Sequence, residues 1–166
     1  ASAWGVSWGS TALVYEDGLY HSPAEVVQRM LIDAGILTVA GTWPCWSSNE
    51  HDTPDDSVTV YDTVGTEDGR TMTDGAFQTH YGLMIRVRAQ NHAAGIVKAG
   101  ELRQYLSRSV KNRRVTIPTS GDRTGASYIV HAVTKIGQPT YLGSDVPNSR
   151  RKLFTINATV ALRRAA

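Results

Sequence analysis

From His80 to Leu106 the chain changes its hydrophobic period once, and no other feature limits its fold as strongly. Tyr81, Leu83, Ile85 and Val87 alternate with Gly82, Met84, Arg86 and Arg88. Period-two alternation marks a strand with one apolar face. After Ala89-Gln90-Asn91, the residues Ile96, Ala99, Leu102 and Leu106 recur at three- and four-residue steps, with Tyr105 on their flank. That is the stripe of an amphipathic helix. The Asn91 side chain can accept from the first free backbone N–H groups, so the helix is expected to begin there. A strand that runs straight into a helix folded back over it forms a two-layer nucleus for the other segments to build on.

The other elements follow from local signals. Ser22-Pro23-Ala24-Glu25 combines a serine cap, proline at the first helical position and glutamate at the third, a capping box. It predicts a helix over 22–34 with Val26, Val27, Met30 and Leu31 buried and Gly35 at its end. Trp43-Pro44-Cys45-Trp46 closes the next segment, and Pro44 keeps it out of a central strand. Ser47–Ser57 reads as an exposed acidic loop. Val58 and Val60 start a strand through Tyr61, and Thr63–Thr79 reads as a long hairpin connection rich in Gly, Asp and Thr. Both loops are expected to be mobile in the free subunit and ordered in an assembly, because they hold little apolar content to pack at home.

Beyond the second helix, Arg113–Pro118 and Ser127–Ile136 predict two strands, followed by a loop over Gly137–Arg150. The final strand, Lys152–Leu162, puts Phe154, Ile156, Ala158, Val160 and Leu162 on one face and Thr155, Asn157 and Thr159 on the other. The order implies an α+β fold, a mainly antiparallel mixed sheet of about five strands with two helices packed on one face. Residues 19–166 are expected to make this single domain. Residues 1–18, with Trp4-Gly5 and Trp8-Gly9, read as a flexible arm. Its indoles either enter a pocket on a partner or fold back on their own subunit.

Little in the chain suggests catalysis. The five histidines, at 21, 51, 80, 92 and 131, fall in no metal-ligand spacing. Cys45 is the single cysteine, so no internal disulfide forms and cytosolic folding is the default. It lacks a basic neighbour and reads as a buried, inert thiol. There is no phosphate loop and no nucleophile elbow. The one candidate for a divalent cation is the loop with Glu50, Asp52, Asp55 and Asp56, but Pro54 interrupts it and the Asp-x-Asp-x-Asp-Gly frame is missing, so a solvated loop is expected. No catalytic residue, metal or cofactor is expected, nor a membrane span, since no run approaches ~20 apolar residues.

Charge is more informative. The net charge of +2 conceals a split. Residues 1–85 hold two basic and 12 acidic residues, a balance of −10, whereas residues 86–166 hold 15 basic and three acidic residues, a balance of +12. Faces of opposite sign favour ordered self-association, unless folding interleaves the halves and cancels the polarity. The basic residues cluster as Arg113-Arg114, Arg150-Arg151-Lys152 and Arg163-Arg164. Such clusters can bind a phosphate backbone, which leaves a nucleic-acid-binding module as an alternative.

Several segments together resemble a known family. Val60-Tyr61-Asp62-Thr63, Gly69-Arg70, His80 and Ile85-Arg86-Val87-Arg88-Ala89 leading into a helix are similar to the tail terminator proteins of long-tailed bacteriophages, also called minor capsid or tail completion proteins. The Ser22–Glu25 helix start, the Trp43-Pro44 step and Phe154-Thr155-Ile156-Asn157 extend the resemblance over residues 20–163, and the Trp-Gly arm lies outside it. The resemblance implies a homo-hexameric ring in the virion that caps the tail tube, ends its polymerisation and docks the head-completion or neck protein. Genomic DNA would pass through its lumen without sequence-specific binding. A head-closure or adaptor protein of the neck is the neighbouring alternative. On this reading Arg86 and Arg88 face the ring channel or a subunit contact, gripping Asp55, Asp56, Glu67 and Asp68 of a neighbour, and Arg150, Arg151, Trp4 and Trp8 serve further interfaces.

Overall fold

The computed structural model describes residues 19–70, 77–144 and 151–165. Helix α1 (Pro23–Asp33) starts at the capping box: the Glu25 N–H donates to Ser22 Oγ, and Pro23 takes the first helical position. A distant residue completes this start, for the Ala24 N–H donates to Asp62 Oδ1 at 2.9 Å. Gly35, at φ 80°, follows the helix end in the left-handed region that glycine enters most easily.

The strands are β1 (Cys45–Ser47), β2 (Ser57–Arg70), β3 (Phe77–Ala89), β4 (Arg113–Ile117), β5 (Ala126–Thr134), β6 (Thr140–Ser144) and β7 (Lys152–Arg164). Helix α2 (His92–Arg108) follows β3, and its first N–H groups are capped by Asn91, whose Oδ1 accepts from the Ala93 N–H. The sheet order is β1-β2-β3-β7-β5-β4, with β6 paired to β7. Among the described strands only the β1–β2 pair is parallel. Strand β7 is the spine. Along one side it pairs with β3, from Lys152 to Val160. Along the other it meets first β6 and then β5.

The fold is α+β. Val58, Val60, Leu83, Ile85, Val87, Phe154, Ile156 and Val160 are fully buried on one face of the sheet, and both helices pack there. α1 touches β1, β2, β3 and β4, whereas α2 lies over β3, β5 and β7. Because α1 meets strands from both ends of the order, the sheet curls around it.

Three expectations need correction. Among the described residues the sheet has seven strands, two more than about five: β1 is only three residues long, and β6 lies inside the segment read as a loop over Gly137–Arg150. The connection Thr63–Thr79 is mostly strand, since β2 runs on to Arg70 and β3 starts at Phe77. Residues 62–65 are exposed and cover no core, so this stretch carries no apolar alternation. Backbone pairing holds it, with a bulge between Thr63 and Thr66. The third correction is in α2, where Gly95 is buried and Ile96 is 40% exposed. The Phe154 ring sits where a Gly95 side chain would be, which draws the helix onto β7 and turns Ile96 outward. Gly95→Val is expected to destabilise the fold by about 1–3 kcal/mol through overpacking, measurable by urea unfolding.

Candidate functional site

The face of the sheet opposite the helices carries a layer of its own. Pairing sets Ser57, Arg88 and Leu153 in one transverse row and Thr59, Arg86 and Thr155 in the next. The acidic segment from Ser48 to Asp56 crosses these rows as a strap, and two arginines hold it from below.

Arg88 is 2% exposed, and its guanidinium is spent on backbone carbonyls. Nη2 donates to His51 O at 2.6 Å, Pro54 O at 2.7 Å and Asp52 O at 3.3 Å, and Nε donates to Asp55 O at 3.2 Å. Nη1 stands 3.8 Å from the Glu50 carboxylate. A planar fork of fixed donors suits a turn whose carbonyls converge, where a lysine ammonium would satisfy fewer of them. Arg151 holds the strap from the β7 side: Nε donates to Asp55 Oδ1 at 2.8 Å and Nη1 to Asp52 Oδ1 at 2.9 Å, while Nη2 donates to the Asp52 carbonyl. These bonds to Asp52 and Asp55 hold the Arg151 pKa above the ordinary arginine value. The Gln90 N–H donates to Asp56 Oδ1, and His51 stacks on Trp46 with centroids 4.3 Å apart.

Arg86 is the more open of the two sheet arginines. Its Nε is 3.7 Å from Glu50 Oε2, and its charge acts on the Tyr61 hydroxyl. Burial, then the Glu50 charge, push the Tyr61 pKa up, with Arg86 and Arg88 acting against them. The hydroxyls of Ser57, Thr59 and Thr155 are buried in the same layer without a protein hydrogen-bond partner. A double arginine clamp of this kind fixes the path of the chain between β1 and β2. It carries no activated nucleophile.

The expected roles change accordingly. Arg88 is buried under the strap of its own subunit, with Nε and Nη2 bonded to strap carbonyls, so it is not exposed to a channel or a neighbour in this subunit. Asp55 and Asp56 each have Oδ1 engaged within their own subunit, with Arg151 and with the Gln90 N–H. The strap is tied to the sheet, while Ser48, Asn49 and residues 51–54 stay exposed, as expected of this loop. Arg86 keeps part of its side chain open, at 30%. Glu67 and Asp68 lie on the β2 ribbon, and Arg150, Trp4 and Trp8 fall outside the described residues. The clamp was findable from register: with Ser57 paired to Arg88, the acidic residues just before Ser57 must pass over that arginine.

A second polar cluster anchors the start of the described chain. His21 Nδ1 and the Tyr128 hydroxyl are 2.7 Å apart, the Tyr20 N–H donates to the same hydroxyl, and the Arg164 guanidinium stacks 4.1 Å over the Tyr20 ring. Burial, and then Arg123, lower the His21 pKa below 6.5. The folded state therefore binds this proton less tightly than the unfolded chain. The stability it contributes is complete above pH 6.5 and is lost as pH falls through the lowered value. Chemical unfolding at pH 7.5 and pH 5 should show His21→Gln losing less stability on acidification than the wild type.

Burial pushes the Cys45 thiol up to about 12, which leaves it protonated and unreactive at neutral pH. Among the described residues no group of His, Cys, Asp and Glu could hold a metal ion, and no helix is long and apolar enough to cross a membrane. Set against protein-family models and curated proteins, the sequence matches none of them.

Proposed function

We propose that this chain is a structural protein of the tail terminator kind, not an enzyme. It forms a homo-hexameric ring in the virion on the last ring of a phage tail tube, stops tube growth and presents the joint to the head-completion or neck protein. The observation that carries this reading is the β2–β3 ribbon. The residues behind the resemblance gather on it and beside it: Val60–Thr63 and Gly69-Arg70 on β2, His80 and Ile85–Ala89 on β3, and Phe154–Asn157 on β7, β3's neighbour in the sheet. From Thr66 to Arg70 the ribbon is paired only with β3, about 15 Å of strand at the usual rise. A subunit that must touch lateral neighbours and two axial partners needs contact surface beyond its own core, and a hydrogen-bonded ribbon supplies it in ordered form. The strap adds a second, rigid surface on the far side of the sheet.

The test is electron microscopy of particles assembled without this protein. Tails of irregular and excessive length, detached from heads, are the expected result. Normal tails firmly joined to heads would remove the terminator reading.

A further inference from the structure

Two of the sheet edges that have no strand beside them among the described residues complement each other. One is the outer side of β2 beyond Val60: β1 covers β2 only from Val58 to Val60, and Tyr61–Arg70 pairs with β3 alone. The other is the outer side of β4, which pairs with β5 and ends the strand order. Each open edge leaves alternate backbone N–H and C=O groups available to a further strand.

The two edges are matched in charge, direction and height. The β2 stretch carries Asp62, Glu67 and Asp68 against a single Arg70, whereas the approach to β4 and the strand itself carry Lys111, Arg113 and Arg114 with no acidic residue. Arg113, Arg114 and Thr116 are exposed, and Val64 on the β2 edge is 94% exposed. Four antiparallel steps separate β2 from β4, so both run in the same direction. Register gives their height. Tyr81 pairs with Val160, and two residues further along, Thr79 pairs with Glu67. Two residues beyond Val160, Leu162 pairs with Val130, which pairs with Arg113. Glu67 and Arg113 thus lie level across the sheet. Subunits related by rotation about an axis along the strands meet without a shift in height, as a closed ring requires.

We propose that each copy of this chain pairs the open edge of β2 in parallel with β4 of the next copy, so that sheet hydrogen bonds and the Glu67–Asp68 to Arg113–Arg114 contact join successive subunits. The proposal rests on the ring reading above and names its interface. The joint is heterologous, one acidic edge and one basic edge per subunit, and it therefore propagates in one sense until it closes.

The experiment uses the full chain carrying Val64→Cys and Lys111→Cys, which this register sets about level on the two edges, treated with a short bismaleimide cross-linker. The native Cys45 is buried and stays silent. A ladder of linked chains is expected, and it should be missing when either cysteine is present alone. Arg113→Glu with Arg114→Glu, or Glu67→Lys with Asp68→Lys, should weaken the ladder by more than about tenfold, since each sets like charges face to face. Mixing the two reversed proteins should restore it, because alternation brings opposite charges together at every joint of an even-membered ring. Unchanged thermal melts show that the reversed chains fold. No ladder from the two-cysteine protein, or a ladder indifferent to both reversals, overturns the proposal. The outcome is separable from tail capping: a charge-rescued ladder beside normal tails in particles lacking the protein keeps the joint and removes the tail function. Over-long tails with no ladder do the reverse.

Discussion

Arg88→Met is expected to detach the acidic strap and lower stability by about 3–5 kcal/mol, the cost of breaking a buried charged network. The loss has two parts. The carbonyls of His51, Asp52, Pro54 and Asp55 lose their shared donor, and each bond to a charged group is worth about 1.5–3 kcal/mol when its partner stays buried. The Glu50 carboxylate also loses one of its two nearby cations. Arg88→Lys should recover only part of this, because an ammonium cannot reproduce the planar fork. Arg86→Met should cost much less, since Arg86 is 30% open and its charge pair is long. Urea unfolding ranks the three variants, and limited proteolysis within Ser48–Asp56 reports the strap. Equal losses from Arg86→Met and Arg88→Met would mean that the strap is not held as described. Reversing both arginines to glutamate is for the same reason no clean probe of assembly: a carboxylate at position 88 would be buried against four carbonyl oxygens.

Gly82→Val is expected to break the ribbon and abolish ring formation, with a stability loss of about 3 kcal/mol. Gly82 faces the bulge in β2, and a side chain there would run into the Val64 carbonyl oxygen and the Thr63 hydroxyl. Gly65 makes the reciprocal approach to the His80 carbonyl. Backbone atoms cannot step aside by changing rotamer, so the pairing between Thr63 and Gly82 must separate and the strands beyond it lose their register. Amide hydrogen exchange should accelerate along Thr66–Arg70 and Phe77–Tyr81 while α1 and β7 stay protected. Unchanged exchange with intact assembly would show that the ribbon is not the contact element.

These two sites mark where the chain was legible and where it was not. The helix starts at Ser22 and Asn91 were readable because a cap is a local event, decided by the side chain at one position and the N–H groups of the next turn. The spine strands were readable because one of their faces is buried, which forces apolar alternation in Leu83–Val87 and Phe154–Leu162. Ribbon and strap had no such signal. Val64 is 94% exposed and the strap is mostly polar, so neither has a core that would print a period on its residues. Arg88 leaves by the face that alternation assigns it, but its cover was not legible for a related reason. Alternation shows which face a side chain leaves by, but not what covers that face, and a polar loop that returns over it is a tertiary event. Asp62 is the same case, since its Oδ1 accepts from the Ala24 N–H 38 positions earlier, at the start of α1.

The most direct test of the ring reading is the mass of this protein bound to tail tubes taken from particles assembled without it. The account requires binding at one tube end only, with a bound mass of one hexamer of 18.1 kDa chains and no further tube growth afterwards. Binding along the whole tube, binding as single chains, or no binding at the end would contradict it.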